Sequence, residues 1–201
     1  MKIELPPKAW LQAQKYQETV LEALANRKAG PNYTKLHASN RFAFGYLGER
    51  AFKEALLAAG KKFEWHLDTS GFSSAEDLSV WNEKGYWKSV DVKTASKPHH
   101  RHLMIPERQR PRALKHNFMV AARIATAMPE DGNTIPVVLE GVCTSKRIKA
   151  APIIEGGTEL EIPTIRIPFT ELNPVEDWIA FLLDDGEDPF AARYKSGLPG
   201  G

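Results

Sequence analysis

Asp77-Leu78-Ser79-Val80-Trp81-Asn82-Glu83-Lys84-Gly85-Tyr86-Trp87-Lys88-Ser89-Val90-Asp91-Val92-Lys93-Thr94-Ala95 is the stretch on which the reading of the fold turns. Successive side chains of a strand point to opposite faces. Val90 and Val92 therefore share one face, and Asp91 and Lys93 share the other. The upstream half alternates in the same way, with Leu78 and Val80 against Asp77, Ser79 and Trp81. Between the halves, Gly85 supplies the left-handed position of a three-residue hairpin loop over residues 83–85. That register pairs Asn82 with Tyr86 and sets Asp77 across from Asp91, their β-carbons about 5 Å apart. A loop one residue longer would shift it. Like charges at this spacing repel, and a bound divalent cation is the usual way such a pair is made favourable.

Hydrolysis of a phosphodiester calls for a hard cation that neutralises charge on the phosphate and lowers the pKa of the attacking water. Magnesium takes oxygen ligands in octahedral geometry and keeps several waters, so two carboxylates and a backbone carbonyl suit it, with manganese as a substitute. Lys93, beside the metal, would orient the water or stabilise the transition state as a fixed positive charge. A third carboxylate, Glu49, follows Gly45-Tyr46-Leu47-Gly48 on a segment that reads as a helix from a Ser39 or Asn40 cap to about Ala59, ended by Gly60. A glutamate among small and apolar neighbours needs a partner.

In these residues the chain resembles the PD-(D/E)XK nuclease superfamily. Asp77 matches the first strand aspartate, Asp91 and Lys93 match the (D/E)XK pair, and Glu49 matches the helix acid. The resemblance covers about Asn40 to Ile124. It implies a restriction-endonuclease-like core in which Asp77, Asp91 and the Val92 carbonyl bind magnesium, with Glu49 helping directly or through water. It also implies a DNA endonuclease, either site-specific (restriction or homing type) or structure-selective (junction-resolvase type), acting on double-stranded or branched DNA as a homodimer. Glu76 stands where the name-giving pattern has proline and is a rival ligand, although alternation points it to the other face. The alternative is a non-catalytic DNA-binding module that keeps the fold.

The chain has 201 residues and a formal net charge of +2, which suits one domain with a real core. Its single cysteine, Cys143, allows no internal disulfide and no cysteine-type metal framework. No hydrophobic leader or membrane-length apolar run occurs, so the expectation is a cytoplasmic protein without membrane contact.

The small net charge hides an asymmetry. Thr94 to Ala127 carries seven Lys or Arg against one acid, whereas from Ala151 onward three bases face ten acids. Lys97, Arg101, Arg108, Gln109, Arg110, Arg112 and Lys115 are thus the expected DNA-binding residues, in a basic loop that follows the candidate lysine. A plain solvated loop is the competing reading. His99, His100 and His102 suggest zinc, but no cysteine or acid stands at ligand spacing, and phosphate contact is the simpler role. The acidic C-terminal extension, residues 151–201, reads as a solvated face or partner surface.

A helix over about residues 8–28 after Pro6-Pro7, strands at Phe63–Leu67, Asn117–Ile124 and Val137–Thr144, a weaker strand at 161–168 and a helix after Pro174 complete the frame. The expected architecture is a single α/β domain, core about 40–145, with a central mixed β-sheet flanked by helices. The Ser- and Gly-rich segment 69–74 reads as a loop near substrate.

Overall fold

The computed structural model describes residues 1–26, 40–67, 76–82, 85–125, 132–154 and 162–181. The segment 69–74 and the chain after 181 lie outside them. The fold is mixed α/β. Strands β1 (Lys2–Leu5), β2 (Phe63–Trp65), β3 (Leu78–Trp81), β4 (Trp87–Ala95), β6 (Phe118–Ile124) and β7 (Ile135–Thr144) form one sheet in the order β1-β7-β6-β4-β3-β2. Only β4 and β6 run parallel; the other neighbours are antiparallel. A smaller antiparallel sheet, β5-β9-β8, comprises His102–Pro106, Thr164–Pro168 and Ile153–Ile154.

Helices α1 (Lys8–Asn26) and α2 (Arg41–Ala58) bury their apolar faces against one side of the large sheet, over Leu78, Val80, Val90, Val92, Val120 and Ala122. The small sheet covers the other side at β6 and β7, where Leu103, Ile105, Ile165 and Ile167 meet Met119, Ala121 and Cys143. The large sheet is thus a middle layer, and its β3–β4 portion carries the candidate site. Within the expected C-terminal extension, β9 and helix α5 (Val175–Phe181) contribute to both cores; Trp178 packs against Phe52 and Phe118. Among the described residues no helix is long and apolar enough to cross a membrane.

The hairpin has the register read from the sequence. Leu78 pairs with Val90 and Trp81 with Trp87, Asn82 N donates to Tyr86 O, and Gly85 has a φ of 82°. Several elements differ from expectation. The stretch expected as a continuous basic loop contains β5, a 3-10 turn (Glu107–Gln109) and the short helix α3 (Arg110–Ala113). Leu103 and Ile105 alternate inward there, a period of two hidden by flanking histidine and arginine. β1 pairs along β7, and α4 (Ser145–Ala150) begins where the Thr144 hydroxyl accepts a hydrogen bond from Arg147 N. The first expected strand stops at Trp65.

The approach of α2 to the sheet sets the depth of the site. Asn40 holds the cap position with a left-handed φ of 47° and no capping bond of its own. Gln17 of α1 replaces it: its amide donates to Asn40 Oδ1, and its Oε1 accepts from Ala43 N. At Gly48 the helix lies so close to β4 and β6 that an added Cβ would stand 1.9 Å from Thr94 Oγ1 and 3.2 Å from Ala122 Cβ. Gly45, one turn earlier, faces open space.

These two glycines make a matched test. Alanine in a helix interior gains about 0.5–1 kcal/mol over glycine, so Gly45→Ala should raise Tm by about 1–4 °C. Gly48→Ala has the same gain but overpacks the contact by about 1–3 kcal/mol, so its Tm should fall. Equal Tm values for the two variants in a thermal melt would contradict the close approach.

Candidate metal and phosphodiester site

The β3–β4 ladder ends at the Leu78–Val90 pair, and the next residue back, Asp77, continues it by other means. Its N–H donates to Val90 O at 3.0 Å and its carbonyl accepts from His66 N at 2.9 Å. Its side chain then takes the place of a strand carbonyl: Oδ2 accepts from Val92 N at 2.7 Å. In a strand the N–H and C=O of one residue leave on the same side, so the Val92 carbonyl emerges toward Asp77, where among the described residues no strand continues. Asp91, directly across, is 1% exposed. Lys93 Nζ stands 2.9 Å from its Oδ1 and 2.7 Å from its Oδ2, yet Oδ2 makes no directional hydrogen bond.

Glu49 comes from the helix side of the sheet, near enough to Asp77 and Asp91 for their charges to act on it. Trp65, at the end of β2, donates its indole N–H to Glu49 Oε2 at 3.0 Å. Burial raises the Glu49 carboxyl well above the usual range, and the charges of Asp77 and then Asp91 raise it further. Burial likewise lifts Asp77 to about 7, with the Asp91 charge adding to it, while Lys93, the Val92 N–H and Arg112 act in the other direction. The four residues picked from the sequence therefore form one electrostatic unit.

His116 joins them, and the sequence reading gave it no role beyond the basic block. It is 4% exposed, its Nε2 lacks a hydrogen-bond partner, and burial holds its pKa below the ordinary histidine value although Asp91 pulls upward. Its only sequence signal is its place just before β6, where Asn117 N and Oδ1 bond Ser89. Glu76, the rival ligand that alternation pointed to the other face, lies on the acids' side instead, because the chain leaves the strand before Leu78: Ser79 Oγ donates to Glu76 Oε1 at 3.0 Å and contacts His66 Nε2 at 2.9 Å, and the Glu76 charge acts on His116.

The expected DNA-binding residues do not form one surface on the acids. Arg112 is exposed and near enough for its charge to act on both Asp77 and His116. Arg101 is turned onto the Pro98 and His100 carbonyls, and Arg110 onto the Lys149 carbonyl. Lys97, Arg108 and Lys115 are exposed, and Gln109 is half-buried. A cleft of about 180 Å³ opens beside Lys93, lined among others by Ser96, His100, His102, Met104 and Phe169. Among the described residues, no three His, Cys, Asp or Glu side chains stand at the spacing of a ready-made metal site, the three histidines and the three acids included. The donor set suited to a hard cation is Asp77, Asp91 with its unbonded Oδ2, and the Val92 carbonyl.

No family model, curated protein or solved structure matches this chain.

A carboxyl whose folded pKa lies above its unfolded value binds its proton more tightly when folded, so the stability it contributes is present at low pH and lost as pH rises through the folded pKa. With Asp77 at about 7, the metal-free chain loses stability between about pH 4 and about pH 8 through this group. Asp77→Asn keeps an acceptor for Val92 N and removes the charge. Its Tm in chelator should exceed wild type at about pH 8 and converge with it near about pH 4; parallel profiles would refute the upward shift that burial and the Asp91 charge give Asp77.

Proposed function

We propose that this chain is a metal-dependent DNA endonuclease of the PD-(D/E)XK type with a restriction-endonuclease-like core. The observation that carries this reading is the placement of Asp77 opposite Asp91 where the β3–β4 ladder stops, with Lys93 on Asp91 and Glu49 coupled to both. Two carboxylates held together against their own repulsion, in a partly buried notch, are a poor structural choice and a good cation site.

Asp77, Asp91 and the Val92 carbonyl would hold magnesium or manganese, with Glu49 beside them. When bound, the cation supplies charge for the phosphate and a more acidic water. Asp77 is fixed for this by three backbone hydrogen bonds. Glu49 is fixed by Trp65, and the upward shift that burial and the neighbouring carboxylates give its carboxyl favours its protonated form in the metal-free site. Lys93 presents a positive charge where negative charge grows on the phosphate. Arg112 and the exposed Lys97, Arg108 and Lys115 would contact DNA backbone, which positions a duplex without reading its sequence. Cleavage of both strands calls for two sites, hence a homodimer. A cytoplasmic setting suits the single, buried Cys143.

The test is cleavage of supercoiled plasmid, linear duplex and four-way junction DNA in magnesium, with wild type and Lys93→Ala. Loss of the lysine should slow cutting by about 10²-fold or more, and chelator should abolish it. Magnesium binding measured by calorimetry should strengthen as pH rises through about 7, since Asp77 must release its proton first. Lys93→Ala cutting at the wild-type rate would refute the site. Duplex binding with no cutting in either metal would instead identify the non-catalytic DNA-binding module.

A further inference from the structure

The register that brings Asp77 to Asp91 also orders the rest of that sheet face, the one away from α2. Three rows run across β2, β3 and β4: His66, Asp77 and Asp91; then Glu64, Ser79 and Ser89; then Lys62, Trp81 and Trp87 at the hairpin end. In the middle row Ser79 and Ser89 are buried and Glu64, on the edge strand, is exposed. The outer row is open. Trp87 is 54% exposed, and its neighbour Tyr86 is 67% exposed. The Lys62 ammonium lies 5.4 Å from the Trp81 ring centroid. Trp81 is half-buried, with Lys62 over its ring, whereas Trp87 leaves more than half of its surface to solvent, although burying a large aromatic is among the most favourable contacts a chain can make. Four strand residues separate the tryptophan row from the acid row, about 13 Å.

We propose that Trp81 and Trp87 form a stacking platform for unpaired bases of a strand whose backbone reaches the Asp77–Asp91 site. The substrate is then DNA carrying a single-stranded arm, such as a branch, flap or overhang, and not a uniform duplex. This rests on the nuclease reading above and extends it to the substrate class. In a duplex both faces of each base are already stacked, whereas an unpaired base offers its face to an aromatic ring whatever its identity. Lys62 adds a positive charge at the platform, which complements the phosphates of the arm. At about 3.4 Å per stacked nucleotide, 13 Å corresponds to roughly four nucleotides between platform and scissile bond.

The experiment compares two labelled duplexes, one blunt and one with an oligothymidine arm, by fluorescence anisotropy in chelator so that no strand is cut. Wild type, Trp87→Ala and Trp87→Phe are measured, with circular dichroism to confirm that each is folded. Base–aromatic stacking of about 1–3 kcal/mol per base predicts that Trp87→Ala weakens binding to the armed duplex by about 5-fold to 150-fold. Trp87→Phe should recover most of this, blunt-duplex binding should be unchanged, and the arm should quench wild-type tryptophan fluorescence.

Equal losses on both duplexes, no loss on either, or wild type binding neither DNA would overturn the platform. So would a dimer, seen by sedimentation, that Trp87→Ala dissolves, because the rings would then face a second copy of the chain. Cleavage in magnesium separates the two ideas. A protein that distinguishes the arm through Trp87 but cuts neither DNA keeps the platform and loses the nuclease reading. One that cuts both DNAs alike and is indifferent to Trp87→Ala keeps the nuclease reading and loses the platform.

Discussion

At Asp77 a side-chain carboxylate takes over from a backbone carbonyl as the partner of Val92 N–H. A strand that simply continued would have placed a neutral dipole there. The exchange puts a full charge at the end of the ladder and locks its direction, because Asp77 is held through its own N–H and C=O as well. Among the described residues the ladder goes no further on that side, and Glu49 from the helix layer is near enough to act on residues of the opposite face. The convergence of Glu49, Asp77, Asp91 and Lys93 follows from one interrupted ladder.

Such a notch destabilises the chain that carries it, so the surroundings must be rigid. Asp91 is buried, and removing the partner of a buried charge is strongly destabilising; Lys93 is the partner. Glu49 is aimed by the close seating of α2 at Gly48 and by the Trp65 indole. Trp65 packs in turn on Tyr46 of the same helix and lies under Lys53. Helix, edge strand and hairpin therefore share the work of holding three carboxylates where electrostatics alone would separate them.

The hairpin was legible because its information is local: alternation over two short strands and a glycine at the position that requires positive φ fix the register without reference to the rest of the chain. Helices α1 and α2 were legible for a similar reason, through apolar periodicity and punctuation by Pro6-Pro7 and Gly60. What was missed depends on distant partners. Lys2–Leu5 is a strand because β7 lies beside it, and His102–Pro106 because β9 does. Its two inward residues were outweighed in the sequence by the charges around them. His116 was missed because nothing in Lys115-His116-Asn117 announces burial, which follows from packing of the loop before β6 against the β3–β4 face. The basic block was read as one surface from its composition, yet Arg101 and Arg110 are turned onto local carbonyls, and of this block it is Arg112 whose charge acts on Asp77. Charge runs show where cations are in the chain and not where they point.

Lys93 and the two raised carboxyls can be considered together. Without an ion, Asp91 is compensated by Lys93, and Asp77 and Glu49 relieve the remaining repulsion by taking up protons, Asp77 near pH 7. The notch then carries little net charge and the fold tolerates it. In the proposed nuclease a divalent cation would displace the protons of Asp77 and Glu49, because carboxylate ligands bind it only when deprotonated. Lys93 would then remain beside Asp91, positively charged, when phosphate arrives. In the proposed nuclease, the residue that stabilises the resting site and the residue that stabilises the reacting phosphate are the same lysine. That is why an acid and a lysine two residues apart on one strand face make an economical unit for this chemistry.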